Sequence, residues 1–183
     1  MNIFVLDRDP FEAARLMCDK HVVKMVVETA QLLSTAHRVL DGELTKKPSV
    51  SGKRMVTYYE FDDYEAELIY YKAAHIKHPC AIWCRETTSN YEWLYEHFQA
   101  LCEQYKKRYD KWHKTDIRLM QALRNKPLNL KPGPLTEFPQ AMPDDCKQED
   151  VVLAYRSYYN KYKSDFAKWK SGFVPEWFEG ALV

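Results

Sequence analysis

The sequence predicts an all-α protein that folds as a single compact helical domain over residues 1–183. Two long segments, 19–40 and 90–112, carry apolar residues at helical spacing, with capping and turn residues at their ends. The hydrophobic content of 46% suffices for one well-packed core. A chain of 183 residues is too short for two large domains.

The chain is expected to begin with an extended segment followed by a first helix. Residues 2–6 predict a short strand or an extended N-terminal arm. Asp9 can serve as an N-cap, Pro10 suits the first helical position, and Glu12 completes a capping box. A helix should therefore begin at Pro10.

A second helix is expected to begin at Asp19, itself a capping residue, and to end near Leu40, where Asp41-Gly42 provides a stop. Apolar residues cover most of its circumference, so we expect burial on nearly all sides. These apolar positions are Val22, Val23, Met25, Val26, Val27, Ala30, Leu32 and Leu33.

The segments that follow carry weaker signals. Residues 43–53 contain Lys-Lys-Pro-Ser and Ser-Gly-Lys and predict an exposed loop, whereas residues 54–59 are ambiguous. Residues 62–74 are weakly helical. His78-Pro79 marks a turn into another helix, with Pro79 in its first turn.

The clearest helix is predicted for residues 90–112, with Thr88 or Ser89 as its cap. One side of this helix is apolar and the opposite side is charged, which is typical of a helix packed on a core. A shorter helix is expected for residues 116–125. The apolar side of the long helix contains Trp93, Leu94, Phe98, Leu101, Cys102 and Tyr105.

The C-terminal part begins with a Pro-rich segment, residues 126–145, which cannot be regular structure and must wrap the surface or line a cleft. A last helix is predicted for residues 149–170, and residues 175–178 form an aromatic plug. Residues 155–163 alternate Tyr with Arg and Lys. This segment either stacks bases and neutralises phosphates or forms a Tyr-rich amphipathic helix with snorkelling lysines, and both interpretations remain open.

Composition narrows the class of protein. The 27 basic and 26 acidic residues give a net charge of +1, which argues against a general polyanion binder but allows a local basic stripe. The five cysteines and the absence of an apolar signal segment predict a reduced, cytoplasmic protein. No apolar run approaches the roughly 20 residues that span a bilayer, so no membrane partner is expected, and a monomer is favoured.

A metal site was weighed at His75, His78, Cys80 and Cys84, which lie close in sequence. Their spacing, His-x2-His-x-Cys-x3-Cys, matches no established zinc pattern, and the cysteines would share a helix with Trp83. The sequence therefore predicts neither a metal nor another cofactor.

The polar side of the second helix is the main candidate site. Asp19, His21, Lys24, Glu28 and Gln31 lie on one side of a short helix whose other residues are apolar. Glu28 among valines suits a proton shuttle, with Lys24 one turn away to stabilise its charge. The alternative is a partly solvated Lys24–Glu28 ion pair at i, i+4, with His21 as a structural histidine.

Several positions are similar to those of a known family: residues 16–24, Glu28, residues 31–33, the motif His78-Pro79-x3-Trp83 and Tyr91. At these positions the sequence resembles the pyrimidine-dimer DNA glycosylase family of phages and bacteria. The resemblance covers chiefly residues 10–40 and 75–110. It implies an all-helical domain that binds ultraviolet-damaged DNA, removes one base of a linked pyrimidine pair and cleaves at the resulting abasic site. It also implies a bacterial cell or phage-infected host.

The resemblance also implies roles for individual residues. Glu28 matches the family's essential glutamate, and His21 and Lys24 line the same pocket. The family's nucleophile is the chain's own α-amine, which forms an imine with the deoxyribose, so Met1 and Asn2 are the candidates. Met is usually retained before Asn, which differs from the family pattern and leaves Lys20 and Lys24 as alternative nucleophiles.

Further residues are predicted to contact damaged or modified pyrimidine DNA. Two alternative functions remain open beside a glycosylase with abasic-site lyase activity: a transferase that modifies a phage DNA base, and a non-catalytic module that binds nucleic acid or protein. The predicted substrate-binding residues are Asp19, Lys20, Gln31, His78, Trp83, Arg85, Asn90, Tyr91, Tyr155, Arg156 and Tyr159.

Overall fold

The computed structural model describes residues 1–49, 51–170 and 173–180. Most of its regular structure is helical, which confirms the helical prediction, but a two-stranded sheet makes the all-α class wrong. The elements are α1 (Pro10–Leu16), α2 (Asp19–Asp41), β1 (Glu43–Pro48), β2 (Met55–Glu60), α3 (Tyr64–Ile69), α4 (Pro79–Cys84), α5 (Thr88–Tyr109), α6 (Lys114–Arg124), a 3₁₀ turn (Asp144–Cys146) and α7 (Val151–Tyr162).

Helices α2 and α5 form the centre of the fold. They pack against each other, α1 lies on α5, and α4 and α6 lie on α2. The apolar side predicted for α5 is buried, with Leu94, Phe98 and Leu101 fully inaccessible to solvent. Within the described residues, no helix is both long and apolar enough to cross a membrane.

The prediction of an exposed loop at residues 43–53 is wrong for residues 43–48, which form β1 of an antiparallel hairpin, whereas residues 51–53 lie in its exposed turn. Glu43 pairs with Glu60 at its open end and Pro48 with Met55 near its turn. β1 is largely exposed and has no alternation of apolar and polar residues, whereas β2 is partly buried. Their β-branched and aromatic residues supply the strand preference instead.

Several helix ends differ from the predicted ones. The cap of α1 is confirmed, since the Asp9 carboxylate accepts a hydrogen bond from the Glu12 amide at 2.8 Å. Asp19 is not the cap of α2, because Cys18 occupies that position and the Asp19 side chain is directed elsewhere. Thr87, rather than Thr88 or Ser89, caps α5.

Helix α7 ends at Tyr162, well before the predicted end near residue 170. The chain then folds back onto the start of α2, where the carbonyl oxygen of Lys168 accepts a hydrogen bond from the Asp19 amide at 2.9 Å. The indole of Trp169 is buried and donates to the carbonyl of Leu16 at 3.1 Å. These tertiary contacts replace the last turns expected for the helix.

The N-terminal arm is extended but is not a strand. Residues 3–6 are buried in the core, and Ile3, Val5 and Leu6 are fully inaccessible. Phe4 adopts a positive φ of 47°, which turns the arm between α2 and α7. The Pro-rich segment is irregular apart from the 3₁₀ turn, as predicted, and buries Leu130 and Phe138.

Three buried histidines predict a steep loss of stability in acid. Burial lowers the pKa of His21 to about 3 and the pKa values of His37 and His97 to about 4. Below about pH 6.5 the unfolded chain therefore binds protons that the folded protein excludes, so stability present above that pH is lost toward pH 4. Three such groups lower the free energy of unfolding by roughly 4 kcal/mol per pH unit around pH 5.

Urea unfolding at pH 7, 6 and 5 measures this slope. His97→Asn, which keeps a donor for the carbonyl of Pro10, should make the slope shallower by about one proton, whereas His75→Asn on the surface should leave it unchanged. Equal stability at pH 7 and pH 5 would show that the three rings are protonated in the fold.

Candidate functional site

One side of α2 is open to solvent, so the prediction that this helix is buried on nearly all sides is wrong there. Lys20, Val23, Lys24 and Val27 form an exposed line along it. Val23 and Val27 are each 38% exposed, which is unusual beside an otherwise buried helix. An apolar stripe flanked by lysines suits contact with a ligand that carries both planar apolar groups and negative charge.

Glu28 lies at the edge of this open stripe, paired with Lys24. The Lys24 ammonium is 3.0 Å from the Glu28 carboxylate at i, i+4. The two sides of the pair differ, since the Lys24 side chain is 62% exposed and the Glu28 side chain only 19%. The ion pair of the alternative interpretation is therefore present, but its carboxylate is sheltered while its cation can turn toward a ligand.

The N-terminal amine and the Glu28 carboxylate both act electrostatically on His78. The pKa of His78 is lowered by burial, then by the positive N-terminus and by His75, whereas Glu28 opposes the shift. Burial raises the pKa of the Cys80 thiol to about 12, and the N-terminus acts against that shift as well. The amine of Met1 and the carboxylate of Glu28 thus both act on the His78 ring at the start of α4.

Asn2 fixes the arm that carries this amine. Its side-chain amide donates to the carbonyl of Ala141 at 2.7 Å. Its side-chain oxygen accepts from the amide of Ile3 at 2.8 Å and from that of Phe4 at 3.3 Å. The Asn2 side chain is therefore fully engaged in positioning Met1, and it cannot approach a substrate without breaking these bonds.

His21 lies beneath the open stripe in an aromatic cluster. Its ring centroid is 4.4 Å from Phe4, 5.0 Å from Tyr159 and 5.4 Å from Phe166. Its Nδ1 is hydrogen bonded to the Tyr159 hydroxyl. Because its pKa is lowered to about 3, the ring is neutral at neutral pH and orients the Phe4 arm rather than transferring protons as an imidazolium.

A rim of three lysines surrounds the site. Besides burial, the charges of Lys163, Lys24 and Lys20 lower the His21 pKa. The Lys20 ammonium lies 4.5 Å from the ring centroid of Phe166, which packs against His21. The Lys163 ammonium lies 4.5 Å from the ring centroid of Tyr158, and Tyr158 stacks on Phe4 at 5.9 Å with an interplanar angle of 9°. The rim therefore combines positive charge with a half-buried aromatic face.

Three predicted substrate-binding residues lie in the core instead. Trp83 packs against Phe138 and is 3% exposed. The fully buried Asn90 amide donates to the carbonyl of Trp83 at 2.9 Å. The Tyr91 hydroxyl donates to the carbonyl of Leu123 at 2.9 Å. These contacts give all three side chains a structural role in the core.

The aromatic and basic residues of α7 divide between two sides of the helix. Tyr155 and Tyr159 are fully buried, and the Tyr155 hydroxyl donates to the carbonyl of Pro139 at 2.7 Å. Arg156 donates to the carbonyl of Leu6 at 3.1 Å, which ties α7 to the N-terminal arm. The buried residues Tyr155 and Tyr159 thus fit the interpretation of α7 as an amphipathic helix. Tyr158 and Lys163 lie at the candidate site.

The remaining predicted residues make contacts within the protein. The Arg85 guanidinium donates to the carbonyls of Ala81 and Ile76 at 2.6 and 2.7 Å. The Gln31 amide donates to the carbonyl of Lys72 at 3.3 Å, one turn beyond Glu28. Asp19 accepts from Arg108 at 3.1 Å and from the amide of Lys170 at 2.7 Å.

Phe4, Tyr158 and Lys163 belong to the site but were not among the predicted residues. Phe4 and Tyr158 are separated by more than 150 residues, and no local pattern brings them together. The alternating Tyr and Lys of residues 155–163 was the one available signal for two of them. Across the described part of the chain, no three His, Cys, Asp or Glu side chains are grouped closely enough to hold a metal ion.

Comparison with known proteins gives one finding. A protein-family model described as pyrimidine dimer DNA glycosylase matches residues 1–117, which is more than half of the chain. The matched range contains the N-terminal arm, Glu28 and His78, and it ends before the Pro-rich segment and α7. No curated protein and no solved structure matches the chain significantly.

Proposed function

This chain belongs to the pyrimidine dimer DNA glycosylase family, and on that premise we propose that it removes a base from a pyrimidine dimer in DNA and then cleaves the abasic strand. The single observation that carries the proposal is the sheltered Glu28 carboxylate beside the open stripe of α2, 3.0 Å from the Lys24 ammonium; the charges of the Met1 amine and of Glu28 also both act on the pKa of His78. An amine beside a sheltered carboxylate is the pair of groups that imine chemistry at a sugar carbon requires.

The reaction would begin with attack of the Met1 nitrogen on C1′ of the damaged nucleotide. A bond forms between the nitrogen and C1′, and the bond from C1′ to the base breaks, with its electron pair leaving on the base. The sugar carbon gains positive charge as the base departs, and the Glu28 carboxylate would stabilise that charge. Loss of a proton from the nitrogen and opening of the sugar ring then give an imine.

The imine accounts for the proposed strand cleavage. It draws electrons from the sugar, so a proton on C2′ is lost more easily and the phosphate on C3′ can leave. That step breaks the DNA strand and needs no metal or redox partner, because electrons and protons balance within the sugar. Glu28, whose side chain is only 19% exposed, is our candidate for accepting the proton.

The surroundings of the site support DNA as the substrate. Lys20, Lys24 and Lys163 give a local positive rim on a chain whose net charge is only +1. The half-buried Tyr158 ring and the exposed valines of α2 offer apolar contact to a base rotated out of the duplex. Phosphate contacts would hold the backbone while the base enters from the open stripe.

Borohydride trapping tests this proposal. A duplex with a cyclobutane dimer or an abasic site is incubated with the protein and sodium borohydride, which reduces an imine to a stable amine. We expect a covalent protein–DNA product whose modified residue is the first residue of the N-terminal peptide, mapped by mass spectrometry.

A transferase or a binding module forms no imine and gives no such product, so the absence of both adduct and cleavage would reject the proposed function. An adduct on Lys20 or Lys24 would keep the glycosylase reaction but assign its nucleophile to α2. The matched control is the same reaction without borohydride, in which cleavage proceeds and no adduct accumulates.

A further inference from the structure

A basic cavity lies where side chains of α1, the end of α5, Lys170 and Phe173 meet. It has a volume of about 490 Å³ and opens to solvent. Among the residues that the structure describes, none of those lining it is acidic. The lining residues are Arg15, Gln104, Lys107, Arg108, Lys170 and Phe173.

The two arginines form the scaffold of this cavity. Arg108 donates to the carbonyl of Met17 at 2.8 Å and to the carboxylate of Asp19 at 3.1 Å, so its charge is already balanced. Arg15 pairs with Glu12, and its guanidinium lies 4.1 Å from the ring centroid of Phe173. Neither arginine leaves much positive charge for a ligand.

The two lysines are different. Lys107 and Lys170 are both exposed, and within residues 1–49, 51–170 and 173–180 neither makes an ion pair with a carboxylate. Lys170 lies over the ring of Tyr109 at 4.9 Å, which holds its stem at the cavity wall. Two unpaired ammonium groups beside a neutral amide, Gln104, suit an anion with several oxygen acceptors.

We propose that this cavity binds a phosphodiester of the DNA duplex outside the damaged site. The inference rests on the proposed function only in that DNA is the ligand, and it requires no catalytic step. Lys107 and Lys170 would neutralise the phosphate, and Gln104 would donate a hydrogen bond to one of its oxygens.

The position of the cavity along α2 gives the expected distance to the damaged nucleotide. Asp19 contacts Arg108 in the cavity wall, and Glu28 lies nine residues further along the same helix. At 1.5 Å per residue this is about 14 Å, which corresponds to roughly four steps of one DNA strand at 3.4 Å each. The phosphate in the cavity should therefore lie three to five nucleotides from the lesion.

Single methylphosphonate substitutions locate that phosphate, because each removes one negative charge from the backbone. The probe is a duplex with a tetrahydrofuran abasic analogue, which cannot react, and binding is measured by fluorescence anisotropy. We expect one substitution, three to five nucleotides from the analogue, to weaken binding of the unchanged protein roughly five-fold. The same substitution should not affect the Lys107→Gln/Lys170→Gln double variant.

For binding of the double variant to unmodified duplex, the slope of log K against log salt should be about one unit shallower, since one phosphate contact is lost. Lys147→Gln is the matched control, since that lysine is also exposed but pairs with Asp144 at 2.7 Å. It should keep both the slope and the response to methylphosphonates, and melting curves confirm that all variants are folded.

Free inorganic phosphate is the alternative ligand for this cavity, because it presents the same charged oxygens as a phosphodiester. Micromolar binding of inorganic phosphate by calorimetry, together with unchanged duplex binding by the double variant, would assign the cavity to a free anion and overturn the proposal. Equal effects of every methylphosphonate on both proteins would also overturn it. Loss of borohydride trapping would not, because trapping reports the catalytic site and this binding assay does not.

Discussion

Glu28→Gln should slow base release from a cyclobutane-dimer duplex by about a thousand-fold, the largest effect on activity that we expect from one substitution. The amide has nearly the same size as the carboxylate but no negative charge, so it cannot stabilise positive charge on the sugar. The Glu28 side chain is only 19% exposed, and this shelter makes its charge effective at short range. Single-turnover kinetics measure the chemical step without the contribution of product release.

The fold should tolerate this change. The ion pair with Lys24 is largely exposed on the lysine side, and such pairs contribute little to stability. Lys24→Gln is the matched control, because it breaks the same pair and leaves the carboxylate in place. We expect it to weaken DNA binding and the salt dependence while slowing the chemical step much less.

Equal rate losses in Glu28→Gln and Lys24→Gln would indicate that the ion pair, and not the carboxylate alone, supports the reaction. Base release at the unchanged rate in Glu28→Gln would contradict the proposed role of Glu28. In that event the half-buried carboxylate would be structural, and the trapping experiment would still decide whether an imine forms.

The sequence predicts the helical framework well where the signals are local. The Asp9 cap and the Pro10 start predict α1, and Gly42 predicts the end of α2. The hairpin at residues 43–60 was not predicted, because β1 lies largely in solvent and no period of two is imposed on its residues. The described structure thus follows the sequence pattern where a segment faces the core.

The candidate site is predicted only in part for a related reason. Lys24 and Glu28 come together through helical spacing, which the sequence displays directly. The position of the N-terminal arm depends on the hydrogen bond from Asn2 to Ala141, which are 139 positions apart. No local pattern encodes such a contact.

The tyrosines of α7 show the same limit within one helix. Tyr155, Tyr158, Tyr159 and Tyr162 are chemically alike, yet the first and third are fully buried and the fourth is 47% exposed. Which of them face inward depends on where the arm and α2 lie, and these elements are distant in sequence. Composition therefore indicated a basic and aromatic surface but could not identify the residues that form it.

Arg38→Met should destabilise the fold by about 3–5 kcal/mol, the largest loss of stability that we expect from one substitution. The guanidinium is fully buried in the second half of α2 and pairs with the Glu67 carboxylate at 2.6 Å. It also donates to the carbonyls of Tyr59, Glu67, Tyr70 and Tyr71 at 2.6–3.0 Å. Methionine fills similar volume but leaves these acceptors without donors.

The loss of Arg38 should also change how the free energy of unfolding depends on pH, through the carboxylate of Glu67. Burial acts to raise the pKa of Glu67, but hydrogen bonds from Arg38, Lys72 and the amide of Phe61 lower it to about 2. A lowered pKa stabilises the fold above about pH 4.5, and this contribution disappears as the pH falls toward 2. In Arg38→Met the loss of stability between about pH 4.5 and pH 2 should be smaller, because Glu67 no longer accepts the hydrogen bond from Arg38.

Urea unfolding at pH 7 measures the loss, with Arg118→Met as the matched control. Arg118 also donates to two carbonyls, those of Ile69 and Leu68 at 2.8 and 2.6 Å, but it lies on the surface, where water can replace it. We expect that control to cost less than about 1 kcal/mol. Equal losses in the two variants would mean that Arg38 contributes as a surface arginine does, and that the strand end, α3 and residues 70–71 are held to α2 by apolar packing instead.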